Sequence, residues 1–261
     1  MWRTKICWLA LVLAALPAIH TVFAAGDDYF ETQSIPLGER VLAIAEGDLY
    51  RDRGEELLLF LETESGERVL RILTQGLGRK YSTSAIAEIT LPESVFGQQV
   101  VDFDGDGRED LLLLAMDGLY QVRLGETAGT DTLTRLAEFP YLYSIPEPGT
   151  IVPVEIVFDL DGDGVLELLL PCWQGVGLFH RDDGIYHKIH QFRTKQRSGM
   201  PFVEAQLKPA GGDGLSFRLA RVTVHDLNTD RIPDVFVESD GGLEVFYQTG
   251  QLQFGDQPDK E

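Results

Sequence analysis

The sequence predicts an all-β protein, a β-propeller of about four blades with four strands each. Three observations support this prediction. An acidic loop with a fixed spacing recurs four times, starting at Asp48, Asp102, Asp159 and Asp226. A run of aliphatic residues follows each loop, as expected for a strand that is buried on both faces. The loop starts differ by 54, 57 and 67 residues, and a recurring unit of that length is typical of propellers and solenoids.

The second loop is the most complete copy and reads D-F-D-G-D-G-R-E-D. Carboxylates stand at positions 1, 3, 5 and 9, and Gly107 at position 6 tolerates the positive φ that the turn requires. Hard oxygen ligands at this spacing suit Ca²⁺. Without a cation the clustered carboxylates would repel one another. The predicted ligands, with the backbone carbonyl at position 7 included, are Asp102, Asp104, Asp106, Arg108 and Asp110.

An EF-hand shares these opening ligands, but it requires a bidentate Glu at position 12 and a helix on each side. Position 12 is Leu113 here, and the residues after the loop show no helical periodicity. The sequence therefore favours a calcium loop inside a β-hairpin.

The other copies differ in how many ligands they keep. The third loop has Glu at position 9 and is complete, so we predict calcium at both the second and the third loop. The fourth keeps four oxygen-bearing side chains but has Arg231 where Gly is wanted, which leaves calcium binding there open. The first has Tyr50 at position 3 and Arg53 at position 6, and we predict no calcium there. The further candidate ligands are Asp159, Asp161, Asp163, Val165 and Glu167 in the third loop, and Asp226, Asn228, Asp230, Ile232 and Asp234 in the fourth.

Each repeat predicts the same order of elements: a strand, the acidic loop, the aliphatic strand, a tight turn, and two more strands. Four antiparallel strands per repeat make a propeller blade. The repeats span roughly residues 38–92, 93–147, 148–200 and 216–261. The last repeat ends early, and Phe30 to Leu37 resembles a strand. We expect this N-terminal strand to complete the last blade and close the ring, because closure removes unpaired edges. An open arc that needs a second chain is the alternative.

Residues 1–24 have the form of a secretory signal peptide, with Arg3 and Lys5 before an apolar stretch and Val22-Phe23-Ala24 as the cleavage site. The apolar stretch is shorter than the ~20 residues of a membrane span. The sequence thus predicts an exported chain, secreted or periplasmic, with a single domain at 25–261 and no membrane span after cleavage.

Cleavage removes two basic residues, so the mature chain holds 20 Lys and Arg against 42 Asp and Glu, a net charge of −22. Such a chain repels nucleic acid and attracts divalent cations. Only Cys172 remains after processing, so no intrachain disulfide can form, and we expect this cysteine to behave as a small hydrophobic residue.

The loops and their flanking strands resemble the FG-GAP/VCBS repeats, which form the blades of integrin α-subunit propellers and of many secreted bacterial proteins. The segments D-F-D-G-D-G-R-E-D-L and D-L-D-G-D-G-V-L-E-L carry the resemblance, which covers nearly the whole mature chain. It implies that Ca²⁺ stiffens the blade hairpins while other surfaces bind ligands. The chain lacks a literal Phe-Gly or Gly-Ala-Pro signature and has fewer repeats than integrin propellers, so integrin-type ligand binding is not implied.

Other patterns indicate function less directly. His187 and His190 lie three apart in a predicted strand, a poor arrangement for zinc. No catalytic motif such as G-x-S-x-G is present, so we expect no enzyme. Phe139 to Tyr143 with Trp173 could form an aromatic platform for sugars or simply pack in the core. The long connection from Arg193 to Leu215 begins with three basic residues and is either a solvated loop or a docking site.

Taken together, the sequence predicts a secreted, calcium-stabilised propeller that serves as a non-catalytic protein interaction module. A carbohydrate-binding lectin is the alternative. The partner would be a protein or a glycan, and the sequence names neither.

Overall fold

The structure is a computed structural model that describes residues 32–50, 54–76, 80–124, 132–138, 150–172, 175–194, 221–239 and 242–260. The chain divides into two units, Met1–Ser34 and Ile35–Glu261. Only residues 32–34 of the first unit are described, and they form neither helix nor strand. The expected signal peptide lies outside the described residues. No helix in the described ranges is long and apolar enough to cross a bilayer.

The second unit is built from β-strands, and its described residues contain no helix. The strands are β1 (Arg40–Gly47), β2 (Glu56–Glu62), β3 (Arg68–Thr74), β4 (Ala87–Leu91), β5 (Val95–Val101), β6 (Asp110–Ala115), β7 (Gly118–Arg123), β8 (Thr132–Glu138), β9 (Val152–Pro153), β10 (Val157–Phe158), β11 (Glu167–Cys172), β12 (Gly175–Asp182), β13 (Ile185–Arg193), β14 (Arg221–His225), β15 (Asp234–Ser239), β16 (Gly242–Phe246), β17 (Gln248–Gly250) and β18 (Gln253–Phe254). The predicted all-β class is confirmed.

The strands form four main sheets that follow one another along the chain, and a small β17–β18 hairpin. The first sheet has the order β1-β2-β3-β4, the second β8-β7-β6-β5-β9, the third β10-β11-β12-β13 and the fourth β14-β15-β16. The neighbouring strands are antiparallel, as predicted for blades, except that β9 runs parallel to β5. The sequence did not predict β9, and it extends the second sheet to five strands.

The aliphatic strand after each acidic loop is the centre of its sheet's packing. In β6, Leu111 and Leu113 pack in a cluster with the first sheet, whereas Leu112 and Leu114 pack in a cluster with the third. In β11, Leu169 packs with the fourth sheet, while its two neighbours pack with the second. Successive side chains of a strand point to opposite faces, so each of these strands serves two cores. The predicted burial on both faces is confirmed for β2, β6 and β11, whereas in β15 Val235 and Val237 are buried and Phe236 is half-buried.

The edge of the fourth sheet is met by residues near the C-terminus. Lys260 forms an antiparallel bridge with Val245 of β16, and the Val245 N–H donates to the Lys260 carbonyl at 2.9 Å. The carboxylate of Asp259 accepts from the Tyr247 N–H at 2.8 Å. These contacts occupy the edge that we expected the N-terminal strand to pair with.

The expected N-terminal strand is wrong for its described part. Residues 32–37 form no strand, and Ile35 and Leu37 pack against the face of the first sheet that carries Leu57, Leu59 and Leu61. The edge of β16 is bridged instead by residues near the C-terminus, through Val245 and Lys260. Among the described residues no core cluster joins the fourth sheet to the first. Blade-like sheets are therefore present, whereas ring closure stays a prediction.

Candidate metal sites

Each acidic loop connects two consecutive antiparallel strands of its sheet, as a hairpin. The residue at position 9 begins the aliphatic strand and pairs with the residue just before the loop in all four copies. The four pairs are Gly47 with Glu56, Val101 with Asp110, Phe158 with Glu167, and His225 with Asp234. The loops therefore lie inside β-hairpins, and the EF-hand alternative is excluded.

The position 9 carboxylate closes its loop through the backbone. In every copy it accepts a hydrogen bond from the N–H of position 2. The distances are 2.8 Å from Leu49 to Glu56, 3.1 Å from Phe103 to Asp110, 2.8 Å from Leu160 to Glu167, and 2.8 Å from Leu227 to Asp234. A buried carboxylate needs such donors, so position 9 has a structural role that does not depend on a metal.

The loop that starts at Asp102 gathers three carboxylates at its exposed tip. One oxygen each of Asp102, Asp104 and Asp106 lies within 4.8 Å of the others. Gly105 and Gly107 have positive φ values of 76° and 85°, and their N–H groups donate to the carboxylate of Asp102. This donor set of hard oxygens fits a divalent cation such as Ca²⁺.

Arg108 lies beside this cluster and partly neutralises it. Its guanidinium donates to the carboxylate of Asp106, with Nε 2.9 Å from Oδ2 and Nη2 in closer contact. Asp106 raises the pKa of Arg108 through this hydrogen bond. A cation bound at the tip would compete with this guanidinium for the Asp106 carboxylate.

The loop that starts at Asp159 gathers a different set of oxygens. Asp159, Asp161 and Glu167 each place an oxygen within 4.8 Å of the others. Asp163 is not in this group, and its carboxylate accepts from the Val165 N–H at 2.7 Å. Burial raises the pKa of both Asp161 and Glu167. A nearby cation would favour the ionised forms of these two carboxyl groups. Three carboxylates this close together form a set of hard oxygen ligands that also fits Ca²⁺.

Asp110 lies apart from the group of three carboxylates at the tip of its own loop. Burial raises its pKa, while a hydrogen bond from Gln121 acts in the opposite direction. Its two oxygens accept from the Gln121 side chain at 2.9 Å and from the Phe103 N–H. The three predicted carbonyl ligands, at Arg108, Val165 and Ile232, stay predictions.

The fourth loop adopts the same backbone with less suitable residues. Thr229 and Arg231 have φ values of 64° and 71°, at the positions where the second and third loops have glycine. Such values are unfavourable for residues other than glycine, so the strain expected at Arg231 is confirmed and extends to Thr229. The Asn228 amide donates to Asp230 at 2.9 Å. In the described part of the chain, no group of three acidic oxygens forms at this loop.

The first loop is hydrogen-bonded to the second. The Asp48 N–H donates to the Glu109 carboxylate at 2.8 Å, and the Glu109 N–H donates to the Asp48 carbonyl at 3.0 Å. Residues 51–53, which include Arg53 at position 6, lie outside the described residues.

The second and third sheets, which share a core, therefore each carry one cluster of three carboxylates on a hairpin. In both clusters, backbone N–H groups of the loop donate hydrogen bonds to the carboxylates. Residues 72–170 match the family model of the FG-GAP-like repeat. The resemblance seen in the sequence is thus confirmed for a segment that contains both clusters. An FG-GAP-like repeat indicates an adhesion or interaction module, and such repeats are generally non-catalytic. No curated protein matches the chain in a sequence search.

Three residues that hydrogen-bond to the position 9 carboxylates were not predicted from the sequence. Gln121 donates to Asp110, His180 Nδ1 lies 2.9 Å from Glu167 Oε1, and the Gln248 N–H donates to Asp234 at 3.0 Å. Each lies on a strand that follows the aliphatic strand. For Gln121 and His180 the sequence signal is a polar residue next to apolar ones in a strand, whereas Gln248 acts through its backbone N–H and leaves no such signal.

The remaining predicted features have different outcomes. Cys172 is half-buried, and burial raises the pKa of its thiol, consistent with an unreactive side chain. His187 is exposed and His190 is half-buried. The aromatic residues at 139–143, Trp173, and the connection from residue 195 to residue 215 lie outside the described residues.

Proposed function

We propose that this protein is a secreted, calcium-stabilised repeat module that binds a partner and catalyses no reaction. The observation that carries the proposal is the pair of acid clusters inside the segment that matches the FG-GAP-like repeat. Bound Ca²⁺ would supply a positive charge that links the oxygens of each loop. The ligands would come from Asp102, Asp104 and Asp106 in one loop, and from Asp159, Asp161 and Glu167 in the other.

Calcium would stiffen hairpins that already hold their shape through backbone hydrogen bonds. Extracellular calcium modules bind at ~10⁻⁴ to 10⁻³ M. At a tenfold excess over the Kd, one site adds about 1.4 kcal/mol of stability. For a domain of this size, that corresponds to about 3–6 °C in Tm. Two sites would therefore give a shift that calorimetry resolves easily.

The test is scanning calorimetry of the full mature chain in millimolar CaCl₂, in MgCl₂ and in EDTA. We expect calcium to raise the Tm and magnesium to raise it less. The double variants Asp102→Asn/Asp104→Asn and Asp159→Asn/Asp161→Asn should each lose part of the calcium response. Glu64→Gln, an exposed turn carboxylate outside the loops, serves as the control. An equal Tm in CaCl₂ and EDTA would overturn the calcium part of the proposal.

Export and partner class need separate measurements. N-terminal sequencing of the chain recovered from the periplasm or the culture medium should begin near Ala25. A glycan array separates a lectin from a protein-binding module, because only a lectin binds defined sugars there.

A further inference from the structure

The second and third acidic loops differ in the side chain at position 7. This residue is Arg108 in the second loop and Val165 in the third. In both loops the N–H of position 7 donates to the carboxylate at position 5, at 2.9 Å in the second loop and 2.7 Å in the third. Arginine adds charged donors to this backbone bond, whereas the valine side chain has none. The second loop therefore carries a cation of its own.

Arg108 engages both carboxylate oxygens of Asp106. Its backbone N–H donates to Oδ1, and Nε and Nη2 of its guanidinium donate to Oδ2, with Nε at 2.9 Å. Asp106 is one of the three carboxylates that group at the loop tip, so the guanidinium contacts the oxygens that would hold a calcium ion. The side chain of Arg108 is 44 % exposed and that of Asp106 is 33 % exposed. An ion pair this exposed is weak, and a divalent ion can displace it.

The third loop offers a cation a more favourable set of oxygens. Its group of three carboxylates includes Glu167, which is fully buried. Opposite charges attract each other more strongly away from water. Within the described ranges, no lysine or arginine forms an ion pair with an acid of this loop. His180 Nδ1 lies 2.9 Å from Glu167 Oε1, so calcium binding is best compared at pH 8, where an ordinary histidine is neutral.

The guanidinium of Arg108 has space into which it can move. A cavity of about 260 Å³ lies beside the second loop, and its lining includes Arg108, Glu109, Arg123 and Leu49 of the first loop. A calcium ion at the loop tip would repel the guanidinium. The side chain can therefore leave Asp106 without a change in the strands around it.

We infer that Arg108 is a displaceable counter-ion of the second loop, and that it lowers the calcium affinity of this loop below that of the third. Without calcium, the guanidinium neutralises Asp106, and a calcium ion must displace it in order to bind. The third loop therefore fills at lower calcium concentrations than the second. This inference rests on the proposed calcium function and adds the order in which the two loops respond.

The size of the effect follows from the exposed ion pair. Such a pair changes an equilibrium constant by up to about fivefold. The repulsion between Ca²⁺ and a guanidinium that stays near the loop acts in the same direction. We therefore expect Arg108 to weaken calcium binding at the second loop by about 5–10-fold.

The experiment exchanges the two position 7 side chains and measures calcium binding to the full mature chain by isothermal titration calorimetry at pH 8. Asp159→Asn/Asp161→Asn disables the third loop, and in this parent Arg108→Val should lower the Kd of the second loop by about 5–10-fold. The substitution retains the backbone carbonyl that is a predicted ligand. Asp102→Asn/Asp104→Asn disables the second loop, and in this parent Val165→Arg should raise the Kd of the third loop by a similar factor.

Arg135→Val is the matched control. Arg135 lies on the outer strand of the same sheet, is 41 % exposed and pairs with Glu138 at 2.8 Å. Its replacement also removes one positive charge and one exposed ion pair, and it should leave the Kd of the second loop unchanged. If Arg108→Val does not fold in EDTA, Arg108→Gln replaces it, because glutamine removes the charge and retains a polar side chain.

Several outcomes would overturn the inference. One is a Kd that Arg108→Val leaves unchanged or raises, and another is a Kd that falls equally in Arg135→Val. A second loop that binds calcium more tightly than the third, in the two parents, would also contradict it. If no variant takes up calcium at about 10 mM, above the usual range of extracellular modules, the proposed calcium function fails as well. If both loops bind calcium and the exchanges change nothing, only the role of Arg108 is refuted.

Discussion

Glu56 tests whether the position 9 carboxylate acts as a backbone partner without a metal. It belongs to the first loop, for which we predict no calcium, and it is fully buried. Its Oε2 accepts from the Leu49 N–H at 2.8 Å and from the Tyr50 N–H at 3.3 Å. We therefore expect Glu56→Ala to destabilise the protein in CaCl₂ and in EDTA alike.

The size of the effect follows from these two hydrogen bonds. A hydrogen bond to a charged group contributes about 1.5–3 kcal/mol, and an unsatisfied buried donor costs about 1–3 kcal/mol. The bond from Tyr50 is longer and weaker, so Glu56→Ala should cost about 3 kcal/mol. In a domain of this size, that lowers the Tm by about 6–12 °C. Glu56→Gln keeps an acceptor oxygen and should cost less.

The assay is urea unfolding followed by circular dichroism, with calorimetry as a second measure. Glu55→Ala, an exposed neighbour, is the matched control and should change stability little. A loss below about 1 kcal/mol for Glu56→Ala would refute the structural role of position 9. A loss that occurs only in CaCl₂ would show that Glu56 acts through a metal.

Three further predictions follow, two from the backbone conformation and one from the half-buried His190. Thr229→Gly and Arg231→Gly should each stabilise the protein by about 0.5–1 kcal/mol, because glycine adopts their positive φ without steric cost. Burial lowers the pKa of His190, against the opposing effect of Asp256. The folded chain therefore binds this proton less readily than the unfolded chain, and stability should fall as the pH drops from 7.5 through about 6.5, less so in His190→Leu. Gly175→Ala should destabilise by about 2–4 kcal/mol, since a Cβ at this φ of 136° would collide with the Phe192 carbonyl.

Urea unfolding at fixed pH measures the three glycine-related variants, and a pH series measures the histidine. A destabilised Thr229→Gly would mean that the threonine contacts outweigh the backbone strain. If stability depends on pH in the same way in wild type and His190→Leu, His190 does not contribute to the pH dependence. An unchanged stability of Gly175→Ala would show that β12 and β13 can separate at no cost.

The hairpins could be predicted from the sequence because the spacing of residues within each loop determines them. Alternating carboxylates and glycine from Asp102 to Gly107 specify the tight loop, and four leucines in a row specify a strand buried on both faces. These features depend on residues that are close in the sequence. The all-β class and the loop positions were therefore predictable.

The features that the sequence did not predict depend on contacts between residues that are distant in the sequence. The bridge between Val245 and Lys260 and the support of Glu167 by His180 arise only once the sheets are assembled. The same holds for the parallel pairing of β9 with β5. Ile35 and Leu37 gave residues 30–37 the pattern of a strand, but both side chains pack on the first sheet, a contact that their local sequence does not reveal.

Each of the two middle sheets supplies leucines to both of its neighbours, and this limits how the chain can change over generations. Deleting the second or third repeat would remove the leucines that one sheet contributes to two hydrophobic cores. Gaining or losing the first or last repeat would change only one core shared between sheets. We therefore expect chains of this type to vary in length mainly at their ends. For the same reason, compensating substitutions should arise in adjacent repeats.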